Sequence, residues 1–136
     1  MKLSNITFIH AITFTDVRDD GGVNYSLTKA KKHFPERPGV YIVKSGNKLL
    51  YIGSFKKGVI RRWVTKTDIY HFKKPLVVEQ LKQGSTIKVF YQDEEAIKTE
   101  LGCSDNLWVN SSSIEEKLIS GYSPEWNKTG VKKITP

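Results

Sequence analysis

The stretch from Gly39 to Gly53 limits what this chain can fold into more than any other part of it. Two β-rich runs, Gly39 to Lys44 and Lys48 to Gly53, flank Ser45-Gly46-Asn47, which is the pattern of a β-hairpin. A three-residue loop sets Tyr41 directly opposite Tyr51, whereas a two-residue turn shifts that register and separates them. The alternation supports the first option, with Tyr41 and Val43 on one side and Val40 and Ile42 on the other.

The flanking segments yield further elements. Ile6, Phe8, Ile12, Phe14 and Val17 suggest a strand packing on the domain, and Asp19-Asp20-Gly21-Gly22 a turn. Ser26 to Phe34 predicts a short helix ended by Pro35. Lys57 to Lys66 predicts another, with Ile60, Trp63 and Val64 as its buried stripe. A basic loop at 67–75 leads to a short helix over Leu76 to Lys82 and a third strand over Thr86 to Gln92. Asp93 opens a helix stopped by Gly102, and the last helix spans Ile114 to Ser120 before Gly121. This order predicts an α+β domain with a small three-stranded antiparallel sheet flanked by helices.

Charge narrows the function. The net charge is +8, and it is unevenly placed: Lys29 to Lys74 holds thirteen basic residues against two acidic ones, while the flanks together are slightly acidic. A basic centre reads as a footprint for a polyanion. Length suits one domain, and the single cysteine, Cys103, excludes an internal disulfide and a cysteine-rich zinc site. No apolar run is long enough for a membrane span, and the start lacks a clean signal-peptide core. The expectation is a cytoplasmic protein with no membrane partner.

Short motifs then fall in a specific order: Gly39-Val40-Tyr41, Tyr51-Ile52-Gly53, Lys56 to Trp63, Glu115-x-x-Leu118-Ile119, and Pro124-x-Trp126-Asn127. Together they resemble the GIY-YIG endonuclease family over about residues 37–130. Residues 1–36 would be an N-terminal extension packing on that core, and 131–136 a C-terminal tail. The resemblance implies hydrolysis of DNA phosphodiester bonds with Mg²⁺ or Mn²⁺, in a compact restriction-like, phage or toxin-like enzyme. It implies catalytic roles for Tyr41, Tyr51, Arg62, Glu115 and Asn127, with Glu115 as metal ligand and His71 assisting proton transfer. Lys66 is an alternative for that last role. A double-strand cut from one site per chain suggests a homodimer on DNA.

The chemistry has its own reasons for these residue types. Phosphodiester cleavage needs an activated water, stabilisation of charge on phosphorus and help for the leaving oxygen. A carboxylate such as Glu115 can hold a hard cation that keeps most of its waters. Arginine offers a planar fork of donors to phosphate. Tyr41 would accept a proton or orient the attacking water, which requires cationic neighbours to favour its ionised form. Lys29, Lys31, Lys32, Lys56, Lys57, Arg61, Lys66, Lys73 and Lys74 read as contacts to the DNA backbone.

Each residue also has a plainer reading. Tyr41 and Tyr51 are a packing pair in many hairpins. Ser112-x-x-Glu115 matches a capping box, in which the glutamate reaches back to the cap amide. Gly39 and Gly53 serve close backbone approach, and Asn127 fastens a turn. Strict spacing from Tyr51 selects Arg61 as the catalytic arginine. The apolar-x-x-Arg-aromatic pattern, Val59 to Trp63, selects Arg62. His10 and His33 have no evident partners.

Overall fold

The structure, a computed structural model, describes residues 1–128. Strands β1 (Lys2–Leu3) and β2 (Ile6–Thr7) form a small ribbon. Strands β3 (Ile9–Val17), β4 (Val23–Leu27), β5 (Gly39–Ser45), β6 (Lys48–Phe55) and β7 (Ile87–Asp93) form one antiparallel sheet in the order β4-β3-β7-β5-β6. The helices include α1 (Val59–Trp63), α2 (Lys74–Lys82), α3 (Glu94–Glu100) and α4 (Ser111–Tyr122), with a 3-10 turn at Lys31–His33, and residues 125–128 are helical too. The α+β class holds, but the sheet has five strands where three were expected.

The strand expected between Ile6 and Val17 forms as β3 but joins the central sheet, and β4, which was not expected, pairs beside it. Ile12 pairs with Leu27 and Phe14 with Tyr25, while Phe14 also pairs with Ile87 of β7. The helix expected over Ser26 to Phe34 is therefore replaced by the end of β4 and one short turn. Strand pairing with β3 outweighs a weak local helical preference. The helix expected over Lys57 to Lys66 shrinks to five residues. Gly58, at φ 94, cannot continue it, and Val64 turns extended to bridge Ile69.

The hairpin forms, in a register different from the expected one. Ser45 stays in the ladder opposite Lys48, so the loop is the two residues Gly46-Asn47, with Gly46 at φ 58. A glycine in that conformation suits a two-residue hairpin turn. Beyond it, Lys44 pairs with Leu49 but Val43 with Tyr51, so Leu50 is the extra residue of a β-bulge and is buried. Tyr41 accordingly faces Gly53, not Tyr51. A shift of one residue would have sent the tyrosines to opposite faces. The shorter loop and the bulge each contribute one, so both rings remain on the same face, with centroids 5.9 Å apart.

The two faces of the sheet are covered differently. Val40, Ile42 and Ile52 pack with Ile6, Phe8, Ile97 of α3, and Ile114 and Leu118 of α4. Tyr41, Val43, Tyr51 and Phe55 pack with Phe14, Val59, Ile60, Trp63, Val77 and Leu81 on the opposite side. Among the described residues, no helix is long and apolar enough to cross a membrane.

Candidate active site

Tyr41 and Tyr51 project from β5 and β6 towards α1 and the loop that follows it. The Tyr41 ring lies across Gly53, where a Cβ would overlap its hydroxyl, and Gly39 is closed in by Phe55 and the Gln92 carbonyl. Both glycines are thus required by close packing. Lack of a side chain at Gly53 is what lets the Tyr41 ring occupy that place.

His71 meets Tyr41 from the loop, with Nε2 2.7 Å from the tyrosine hydroxyl. Its Nδ1 accepts the backbone N–H of Lys73 at 3.0 Å, so the neutral ring carries its one proton on Nε2. His71 is therefore the donor and the Tyr41 oxygen the acceptor. Burial, with help from the Arg62 and Lys73 charges, lowers the His71 pKa to about 3. The imidazole is neutral at physiological pH, and both nitrogens are engaged. It is built to hold Tyr41 in place, not to take its proton.

The tyrosines do not match the expectation of cationic activation. Burial raises the Tyr41 pKa well above its ordinary value, Tyr51 and Glu115 reinforce this, and Arg62 only partly opposes it. Tyr51 is also raised by burial, while its hydrogen bond with Tyr41 and the Arg62 charge pull it down. The many lysines do not reverse this, because charges exposed to water are screened. Tyr41 is 0 % exposed and Tyr51 9 %, so Tyr51 is the less buried of the two.

The two arginines diverge. Arg62 lies over the Phe72 ring, 5.6 Å from its centroid, and its charge acts on Tyr41, Tyr51 and His71. Arg61 is exposed and faces Glu36 at 3.9 Å. A five-residue helix turns successive side chains by about 100° each, so only one of the pair can join the tyrosines.

Glu115 stands on α4, half-buried, and its charge raises the pKa of both tyrosines. The capping-box reading does not apply to it. The helix begins at Ser111, Asn110 is the cap, and the box is closed by Ser113. Glu115 sits two residues beyond Ser113, the position that closes the box. Among the described residues, no three His, Cys, Asp or Glu side chains gather as a metal site. A single half-buried carboxylate fits only a hard cation that keeps most of its own waters.

Asn127 has a different position. Its amide accepts the Ile52 N–H at 3.0 Å and donates to the Ile52 carbonyl at 2.9 Å. β6 is an edge strand, so Asn127 closes part of a ladder otherwise open to pairing. The plainer reading of this residue, a fastening, describes what its side chain does.

Among the lysines, Lys31, Lys32, Lys56, Lys57 and Lys66 are exposed. Lys29 is exposed too, with Nζ over Phe34 and 3.4 Å from the Tyr91 hydroxyl. Lys73 differs: it is 7 % exposed and its ammonium donates to the Trp126 carbonyl. Lys74 pairs with Asp68 at 2.7 Å. These two brace the loop. The proposed tail at 131–136 lies outside the described residues.

Sequence reasoning passed over the residues that hold the loop. Asp68 accepts the backbone N–H groups of Val23 and Ile69 as well as Lys74, and Tyr25 donates to the Thr65 carbonyl. Burial alone would raise the Asp68 pKa, but these hydrogen bonds outweigh it and lower it. The N-terminal strand β4 thus anchors the segment that delivers His71. Periodicity carries no signal for such a loop-to-strand tie. In comparisons with known proteins, no family model, curated protein or solved structure matches this chain.

Proposed function

We propose that this chain is a metal-dependent DNA endonuclease on a GIY-YIG-like core, hydrolysing phosphodiester bonds. The observation that carries the reading is the convergence of Tyr41, Tyr51, Arg62, His71 and Glu115. These residues come from β5, β6, α1, a loop and α4, yet act on one another electrostatically. A packing pair of tyrosines does not require an arginine, a donor imidazole and a glutamate freed from capping.

In this reading Arg62 binds a non-bridging phosphate oxygen, and its fork holds the reacting phosphate in register. Tyr51, the less buried of the two tyrosines, orients the attacking water. Tyr41 accepts the His71 Nε2–H and packs its ring against Tyr51, so His71 and Tyr41 fix the place that Tyr51 occupies. A Mg²⁺ or Mn²⁺ ion held by Glu115 would polarise the phosphate and supply an acidic water. The exposed lysines contribute salt-dependent affinity for the DNA backbone. A cut through both strands calls for two copies or two successive encounters.

Complete burial of Tyr41, with its pKa raised, favours a second reading: a nucleic-acid-binding module on the same fold without catalysis. One assay separates them. Supercoiled plasmid is incubated with the protein in Mg²⁺, in Mn²⁺ or in EDTA. Nicking or linearisation only with metal is expected; binding without cleavage in any of them selects the module.

A further inference from the structure

Phe72 is 62 % exposed, yet its ring is firmly held. It stacks on His71 with centroids 4.6 Å apart and planes 20° apart, and His71 stacks on Trp63 at 3.9 Å and 7°. Trp63 is fully buried and meets Tyr41 edge-on. A column of three parallel rings therefore rises from the core and ends at the surface in Phe72. Arg62 lies 5.6 Å and the Lys73 ammonium 5.2 Å from the Phe72 centroid. Tyr70, two residues earlier, is also exposed.

An exposed phenylalanine on a braced loop has a limited set of uses. A lid over His71 needs only apolar bulk, and a phosphate contact needs no ring. A flat ring facing outwards between two cations matches the surface of a nucleobase joined to its phosphates. In an intact duplex the base faces are covered by their neighbours, so a ring reaches one only where a step is wedged open or a base already lies out of the stack, and the second costs less. Extrusion is least costly where a base has no partner. We infer that Phe72 is a stacking platform for one unpaired base of the DNA, and that the preferred substrate carries such a base beside the phosphate to be cut. This rests on the nuclease reading for the identity of the polymer.

The test measures binding in EDTA, where no turnover occurs, with two duplexes of equal sequence. One is fully paired; the other carries a single unpaired 2-aminopurine. The parent protein is expected to bind the bulged duplex more tightly and to quench the 2-aminopurine by stacking. Phe72→Ala should lose about tenfold in affinity for the bulged duplex, the effect of removing one base–aromatic stack, and lose the quenching. Its affinity for the paired duplex should be unchanged. Phe72→Leu should behave as the alanine variant and Phe72→Trp as the parent, with melting temperatures confirming that all are folded. Parental behaviour of Phe72→Leu, or equal affinity of the parent for both duplexes, overturns the platform and leaves the nuclease reading intact. No binding of either duplex by the parent overturns both.

Discussion

On one face of β5 and β6, Val40, Ile42 and Ile52 pack with Ile97, Ile114 and Leu118. On the other, Tyr41 and Tyr51 meet Trp63, His71 and Arg62. The two faces share one hairpin backbone. The first gains its stability from apolar area removed from water, at about 25 cal/mol per Å². The second buries hydroxyls and an imidazole that must all be hydrogen-bonded to avoid a penalty. It even retains a buried Trp63 indole N–H with no hydrogen-bond partner among the described residues. A face kept polar at that cost is the place to look for chemistry. Glu115 illustrates the division: it follows Ile114, which packs on the apolar face, yet its charge acts on the tyrosines.

The comparison can be broken most directly at Glu115. Glu115→Gln should reduce plasmid cleavage to background while melting temperature is unchanged, because Asn110 and Ser113 cap the helix. DNA affinity should hold or rise with the loss of a negative charge. Near-parental cleavage would return Glu115 to the structural side.

Arg62→Ala should lower turnover by roughly a hundredfold or more, as expected when a donor to developing charge is removed. Arg61→Ala should mainly weaken DNA binding, since that side chain faces Glu36. Steady-state cleavage and affinity measured on both variants decide the matter; the reverse pattern would mean strict spacing was the better guide.

The next test sets one face against the other in stability alone. Ile42→Ala should cost about 2–5 kcal/mol by leaving a cavity in the apolar face. Tyr41→Phe keeps the packing but strands the His71 Nε2–H, which should cost about 1–3 kcal/mol. Denaturant unfolding measures both. A larger loss for Tyr41→Phe would show that the polar face, not the apolar one, carries the fold.

His71 should impose a pH dependence. Its folded pKa, about 3, lies below the unfolded value near 6.5, so the unfolded state binds the extra proton first as pH falls. Stability from this group is complete above about pH 6.5 and declines towards pH 3, at up to about 1.4 kcal/mol per pH unit. Unfolding of the parent and of His71→Phe between pH 7 and pH 4 should differ in slope. Equal slopes would mean that His71 is already protonated in the native state.

The smallest effect is expected at the cap. Asn110→Ala should destabilise by about 1 kcal/mol, whereas Ser112→Ala should be close to silent. Loss at Ser112 instead would restore the capping box that the local pattern suggested.

How much of this was legible beforehand depends on the range of the interaction. The hairpin, a common face for the two tyrosines, the α+β class and the helices after Gly58 follow from alternation and glycine placement, which act over a few residues. The tyrosines kept a common face through an error of register, because two one-residue shifts added to two, and a shift of two preserves the face. Arg62 was preferred to Arg61 from the apolar-x-x-Arg-aromatic pattern alone, and the orientation of α1 adds that Arg62 lies over Phe72 while Arg61 faces Glu36. Glu115 was released from capping by the choice of Asn110, one competing cap among several polar residues. His71 became a donor through the backbone N–H of Lys73, and its loop was set by Asp68 and Tyr25 reaching β4 and Thr65. The fifth and fourth strands joined the sheet because β7 offered an edge to β3. Contacts of that kind join residues tens of positions apart, and no local pattern records them. Only closure of the chain on itself, which trades conformational entropy for such contacts, selects among the local alternatives.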